Sequence, residues 1–210
     1  MAIDLRTFTY IDILQPQTAS FIATVAKGYL PIEEQAALVV EIAPGIEINR
    51  VTDIALKQTG VKPGMLIVER AFGFLEVHSF DQGEVRAAGE AILDALALSE
   101  ADRHAPSVKT NQIITGIDAH HTMLINRVRH GDMVLKDESL YVLECEPAGY
   151  AMIAANEAEK AAPIKIQEIV AFGAFGRVYL SGKEEPVREA QKAAAAAISS
   201  LAGRSPAGAR

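Results

Sequence analysis

The chain has 210 residues, half of them hydrophobic, and a formal net charge of −7. That length suits two small domains or one large one, and an isoelectric point near 5.3 without any long run of Lys and Arg argues against a nucleic-acid partner. One cysteine excludes an internal disulfide framework, no secretory signal opens the sequence, and the apolar runs are far shorter than the roughly 20 residues of a bilayer span, so a cytoplasmic protein without a membrane partner is expected.

Taken in chain order, the segment "YIDILQPQTASFIATVAKGYLPI" (10–32) is apolar and reads as a strand pair. "ALVVEIAPG" (37–45) reads as a strand ended by a Pro-Gly turn. "INRVTDIALKQTG" (48–60) predicts a short helix capped by Asn49, with Val51, Ile54 and Ala55 on one face and Gly60 closing it. "GMLIVERAFGFLEVHSF" (64–80) predicts two strands around a loop. The next helix opens on Asp81 and Glu84 as a capping pair and turns Val85, Ala88, Ile92 and Ala95 inward. "LSEADRHAPSVKT" (98–110) is polar, contains proline and reads as a linker.

Beyond it the plan is written a second time. A shift of 103 positions aligns 14–73 with 117–176 without a gap, and twelve pairs are identical, among them Val39/Val142, Glu41/Glu144, Pro44/Pro147, Lys57/Lys160 and Gly73/Gly176. "IITGIDAHHTMLINRVRHGDMVL" is the second apolar segment, "LYVLECEPAG" (140–149) the second strand, and "MIAANEAEKAAP" (152–163) the second short helix. "IQEIVAFGAFGRVYLSG" (166–182) repeats the two strands and their loop. Pro186 marks the first turn of a final helix with Val187, Ala190, Ala194, Ala197 and Leu201 inward. The expected class is α+β, in two tandem domains, 1–103 and 104–210, each an antiparallel sheet with flanking helices; the tail 203–210, with nothing to pack, is expected to fray.

Few residues suggest chemistry. His120 and His121, placed on a strand, would point to opposite faces, and no third ligand stands at sensible spacing, so no metal is expected. Cys145, inside an apolar strand, reads as a small buried hydrophobe. There is no phosphate-binding glycine loop, no dinucleotide fingerprint and no nucleophile with its base, so no catalytic residue, cofactor or enzymatic activity is expected. Two features remain. Lys57 recurs as Lys160 although its helical neighbour Asp53 has become Asn156, which hints at a role outside the chain. The loop "VERAFG" (68–73) carries the adjacent charges Glu69 and Arg70, whereas its counterpart "AFGAFG" (171–176) carries Phe172 and Gly173; both continue as Ala-Phe-Gly. By default Glu69 and Arg70 would be a surface pair worth about 0–1 kcal/mol, and Gly73 and Gly176 would allow a turn that other residues resist.

The words "ALVVEIAPG", "TDIALKQTG", "VERAFG" and "GEVRAAGEAIL" resemble the shell proteins of bacterial microcompartments in their tandem-domain form. "GEVRAA" (83–88) fits the start of that family's Ala-rich helix closely, while "PVREAQKAAAAA" departs from it. The apolar segment in front of each copy resembles the circularly permuted variant. The resemblance implies a homotrimer acting as a pseudo-hexameric tile in the shell, with other shell proteins as partners, and a second trimer stacked on the first as a possibility. On matching positions it places Val68, Glu69, Arg70, Ala71, Phe72 and Gly73, with Phe172, Gly173, Ala174, Phe175 and Gly176, around a central pore, and Lys57 and Lys160 at the tile edge. Glu69 and Arg70 are similar to the adjacent Glu and Arg of carboxysomal tandem proteins whose pores open and close. The resemblance therefore implies a gated conduit for metabolites. A trimeric small-molecule sensor with a ligand at the charged loop is the rival reading, and an enzyme with a site at a subunit boundary is a second.

Overall fold

A computed structural model of the chain describes residues 3–205. The first half runs β1 (Asp4–Ile11), α1 (Pro16–Val25), β2 (Ala36–Ala43), α2 (Ile48–Gln58), β3 (Lys62–Glu69), β4 (Phe72–Ser79) and α3 (Gln82–Leu96). The second half repeats it as β5 (Ser107–Ile114), α4 (Ala119–Val128), β6 (Ser139–Glu146), α5 (Ala151–Ala161), β7 (Lys165–Val170), β8 (Gly176–Gly182) and α6 (Glu184–Ser199). Each half is a four-stranded antiparallel sheet, ordered β1-β2-β4-β3 and β5-β6-β8-β7. The offset of 103 holds at the start of β1 and β5, α1 and α4, β2 and β6, and α2 and α5.

The cores follow the apolar pattern. β2, AALVVEIA, is central and buried on both faces, so its apolar run is nearly continuous. Leu38, Val40 and Ile42 face α2 and α3 together with Val51, Ala55, Val85, Ala88 and Ile92. Ala37 and Val39 face the other way, into a cluster that contains Phe21 and Ile22 of α1 and also Tyr150, Ala155 and Ile166 of the second half. The two halves thus share one hydrophobic cluster across their seam.

Several expectations need correction. Residues 10–32 and their counterpart are not strand pairs: after β1 and β5 the chain turns into α1 and α4, because Pro16 occupies a first helical position and Phe21, Ile22 and Val25 recur at helical spacing. His120 and His121 accordingly lie in the first turn of a helix. Asn49 does not cap α2, since a 3-10 turn at Gly45–Glu47 leads into it and Asn49 donates to the Ile46 carbonyl at 2.9 Å. Asp81 caps α3 by accepting from Gly83 N, but Glu84 accepts from Gly60 N instead of closing the box. Ala95 is exposed, and Gly89 completes the buried stripe of α3. In α6 the stripe is Val187, Ala190, Ala194 and Ile198, with Ala197 half-buried.

The stretch 98–110 is no slack linker. Arg103 and His104 are buried; Arg103 donates to the carbonyls of Phe8 and Ala202, and the Tyr150 hydroxyl donates to the His104 carbonyl at 2.8 Å. Of the tail, Gly203 lies against the backbone of Arg103 and His104, and Arg204 bridges His104 in parallel and pairs with Asp4, so these two residues are held; residues 206–210 lie outside the described residues. No described helix is long and apolar enough to cross a membrane.

Candidate functional site

The loop expected to carry function in the first half is a tight hairpin tip. Glu69 pairs with Phe72 across the β3–β4 ladder, leaving Arg70 and Ala71 as the turn. Arg70 adopts φ 52°, the left-handed region that non-glycine residues rarely occupy, and its side chain is 93% exposed. Among the described residues its only ion pair is with its neighbour Glu69, at 3.8 Å. A strained, exposed charge held by so little contact can move, and such strain gathers at functional sites.

The second loop, residues 171–175, is longer and is built differently. Phe172 packs part-buried on the shared cluster, Gly173 takes φ 97°, and Ala174 and Phe175 are exposed. Gly173 lies beside the first loop: a Cβ added there would stand 4.0 Å from Glu69 Cγ. Val68 and Phe172, one from each loop, also share the wall of a cavity of about 580 Å³ between the halves, rimmed by Thr24, Lys27, His130 and Glu168. Folding therefore brings the two loops together at one end of the seam.

Gly73 and Gly176 serve a purpose other than the one their sequence suggested. Neither has a positive φ, and both are buried. A Cβ on Gly73 would overlap the Gly45 carbonyl, and one on Gly176 the Ala148 carbonyl. Each glycine lets the start of its strand lie directly on the 3-10 turn after the Pro, where Gly45 N donates to the Ala71 carbonyl at 2.8 Å. They position the loops.

Phe72 is pinned as well. The Arg6 guanidinium sits 3.7 Å above its ring, and Arg6 Nε donates to Glu41 Oε1 at 3.1 Å. Glu41 is fully buried; its Oε2 accepts from Thr7 Oγ1 at 2.9 Å and from Gly149 N of the second half at 3.1 Å. A buried carboxylate is tolerable only with such complete partnering. In the second half Lys109 replaces Arg6 and pairs with Glu146 at 3.0 Å, and among the described residues no guanidinium covers Phe175, which is 40% exposed. Sequence reading missed Arg6 and Glu41. The available signal was a carboxylate repeated, as Glu41 and Glu144, within an apolar strand.

Lys57 and Lys160 lie far from the loops, on the last turns of α2 and α5. Lys57 pairs with Asp53 at 2.6 Å, and Lys160 is not solitary: it pairs with Glu157 at 3.6 Å. Asn156 has replaced Asp53 because it is buried in the seam, where its amide accepts from Gln15 N at 2.9 Å and donates to the Ile13 carbonyl at 3.1 Å. Cys145 is buried, and its surroundings push the thiol up to about 12, first by burial and then by Glu41 and Glu144 nearby, so it is a poor nucleophile. Among the described residues no three His, Cys, Asp or Glu side chains converge as metal ligands.

Residues 5–102 match the CsoS1D N-terminal domain family. Over 204 residues the chain is 52% identical to the carboxysome shell protein CcmP of Synechococcus elongatus, covering 97% of this chain and 96% of that protein. Among solved structures, the fused permuted hexameric shell protein MSM0275 from the RMM microcompartment superimposes with a TM-score of 0.93 at 50% identity, over 96% of this chain and 99% of that one. The double ringed trimeric shell protein MSM0271 of the same microcompartment also gives 0.93, at 40% identity over 97% and 99%.

Proposed function

Since the chain belongs to the family of tandem-domain microcompartment shell proteins that includes CcmP and CsoS1D, we propose that three copies close a ring whose central opening is gated by Glu69 and Arg70. The protein is a structural component of a bacterial microcompartment shell, and its role is to form a tile rather than to catalyse a reaction.

The observation that carries the gate is the meeting of the two loops within one chain, with Glu69 against Gly173. Three copies about an axis bring six loops to the centre, and only alternate loops are charged. The centre then holds three Glu and three Arg. Paired between copies, they neutralise one another and close the opening; swung outward, they leave a wide pore bordered by charge. Two such states need differ by only a few kcal/mol, roughly the range of ordinary two-state switches. Gly173, free of a side chain, gives Glu69 room to move, while Phe72 stays fixed under Arg6. The wide state suits metabolites too large or too charged for narrow pores.

Two finer points belong to the same reading. Tyr29, Leu30 and Ile32 are exposed, as are Met133 and Leu135, the counterparts of Leu30 and Ile32, and a second trimer stacked on the ring would cover them. Lys57 and Lys160, on the outer helices, would meet neighbouring hexameric tiles. The gate is tested by cryo-electron microscopy of wild type and the E69A/R70A variant. Wild type is expected to divide between shut and open loops and the variant to lose the shut class. Unchanged proportions would falsify the gate assignment.

A further inference from the structure

Both loops of one chain rest on a single buried charge. Glu41 is fully buried near the end of β2, and its two oxygens serve different halves of the chain. Oε1 accepts from Arg6 Nε at 3.1 Å, and the Arg6 guanidinium lies 3.7 Å above the Phe72 ring at the foot of the charged hairpin. Oε2 accepts from Thr7 Oγ1 at 2.9 Å and from Gly149 N at 3.1 Å. Gly149 lies in the 3-10 turn Ala148–Tyr150, and that turn seats the second loop: Gly176, where the loop enters β8, is so close to it that a Cβ there would overlap the Ala148 carbonyl. Gly149 is itself pressed on Thr7, since an added Cβ would stand 2.8 Å from Thr7 Oγ1. One carboxylate thus reaches the base of the first loop through a side chain and the base of the second through a turn.

The repeat supplies its own comparison. By the offset of 103, Glu144 stands for Glu41, Thr110 for Thr7, Lys109 for Arg6 and Phe175 for Phe72. The carboxylate, the hydroxyl and the ring are kept, and the guanidinium alone is exchanged. A lysine cannot do the same work, because a flat guanidinium covers a ring with its face while its edge donates to a carboxylate, whereas an ammonium is a point charge. Lys109 pairs with Glu146 instead, at 3.0 Å. The half that carries Glu69 and Arg70 is therefore the half whose Phe is clamped. Its backbone is held too: Gly45 N donates to the Ala71 carbonyl at 2.8 Å, and Val68 pairs with Gly73 in the ladder. With Ala71 and Phe72 fixed, Glu69 and Arg70 are the part of the hairpin left unclamped. A buried ion pair is seldom kept for stability, since an apolar pair of similar size does as well; what it fixes is geometry.

We infer that Arg6 and Glu41 are positioning residues for the gate. Arg6 holds Phe72 as the fixed base from which Glu69 and Arg70 swing, and Glu41 ties that base to the seat of the second loop, so the two loops of a chain do not settle independently. This rests on the gate proposed above and names what sets its pivot.

Hydrogen–deuterium exchange with mass spectrometry on the full-length protein reads each loop separately. R6K keeps a charge beside Glu41 and removes the flat face from Phe72. It is expected to speed exchange in residues 70–74 by roughly 2- to 30-fold, the span of cation–π contacts from exposed to desolvated sites, and to leave 148–150 and 171–176 unchanged. E41Q removes the charge that serves both loops. It is expected to speed exchange in all three segments by about fivefold or more, the step from charged to neutral hydrogen bonds, with α3 exchanging as in wild type. No change at 70–74 in R6K, or a change confined to 70–74 in E41Q, overturns the shared anchor. Should E41Q misfold, E41D draws the carboxylate back by one methylene and is expected to loosen the same three segments; an unchanged second loop then sinks the inference. Cryo-electron microscopy of R6K separates the anchor from the gate. The shut class is expected to shrink relative to wild type, and an unchanged shut fraction would remove Arg6 from the gate. If wild type shows a single loop state while exchange follows the pattern above, the gate falls and the anchor stands.

Discussion

Glu76 is fully buried in β4, where Oε1 lies 2.9 Å from His78 Nδ1 and the carboxyl also lies against the backbone of Gly64 and Met65. Burial pushes its pKa up, and the contacts with His78 and with the backbone of Met65 and Gly64 oppose this without cancelling it. The sign is the reverse of the usual carboxylate. A carboxyl raised in the folded state favours folding when protonated, so its stabilising effect is present at low pH and is lost as pH climbs from the unfolded carboxyl range through the folded value. Glu76→Gln keeps an acceptor for His78 and removes the charge. Its melting temperature relative to wild type is expected to rise between pH 5 and pH 8, by roughly 2–4 °C per kcal/mol at this chain length. Differential scanning fluorimetry across that range checks it, and a gap that narrows with pH would refute the assignment. The glycines at the loops teach a related lesson: Gly73 and Gly176 are explained by a carbonyl pressed against each Cα, which no local rule of turn chemistry reveals.

Among elements, α1 and α4 are the informative pair. They share an offset and a length of 10 residues, yet one is capped across the seam by Glu159 and the other by its own Asp118. Glu159 serves two backbone N–H groups and a buried hydroxyl at the positive end of the helix dipole, so Glu159→Ala is expected to cost about 2 kcal/mol, the upper end for a lost cap. Asp118→Ala, on an exposed helix, is expected to cost about 0.5–1 kcal/mol. Urea unfolding compares the two, and equal losses would contradict a cap shared between halves. From sequence both helices read as strands. Ten residues flanked by irregular chain offer less than three turns of periodicity, and an apolar run that short fits either structure.

At the scale of the whole molecule, the seam ties residues 13–18 of the first half to 156–166 of the second, and the tail returns to Asp4 and His104. One chain is accordingly a rigid third of the proposed ring rather than two beads on a string. The edge lysines should then act only between tiles. The variant K57A/K160A is expected to remain trimeric by native mass spectrometry while losing the ability to form extended sheets under negative stain. Each lysine has only an exposed helical ion pair to lose, at most about 0.5 kcal/mol, so dissociation of the trimer would count against the edge role.

From the sequence alone came the duplication, the α+β class, the β2 and β6 core strands, the two loops and the difference in charge between them. These follow from patterns of apolarity and identity that are local or repeat at a fixed distance, and such patterns are written directly in the residue order. Only the tertiary structure decided that Asn156 and Glu159 hold α1, that Arg6 pins Phe72 through Glu41, and that Glu69 rests against Gly173. Those contacts join residues about 30 to 140 positions apart, and a buried polar group finds its partner through the packing of elements that individually carry no sign of where they will meet.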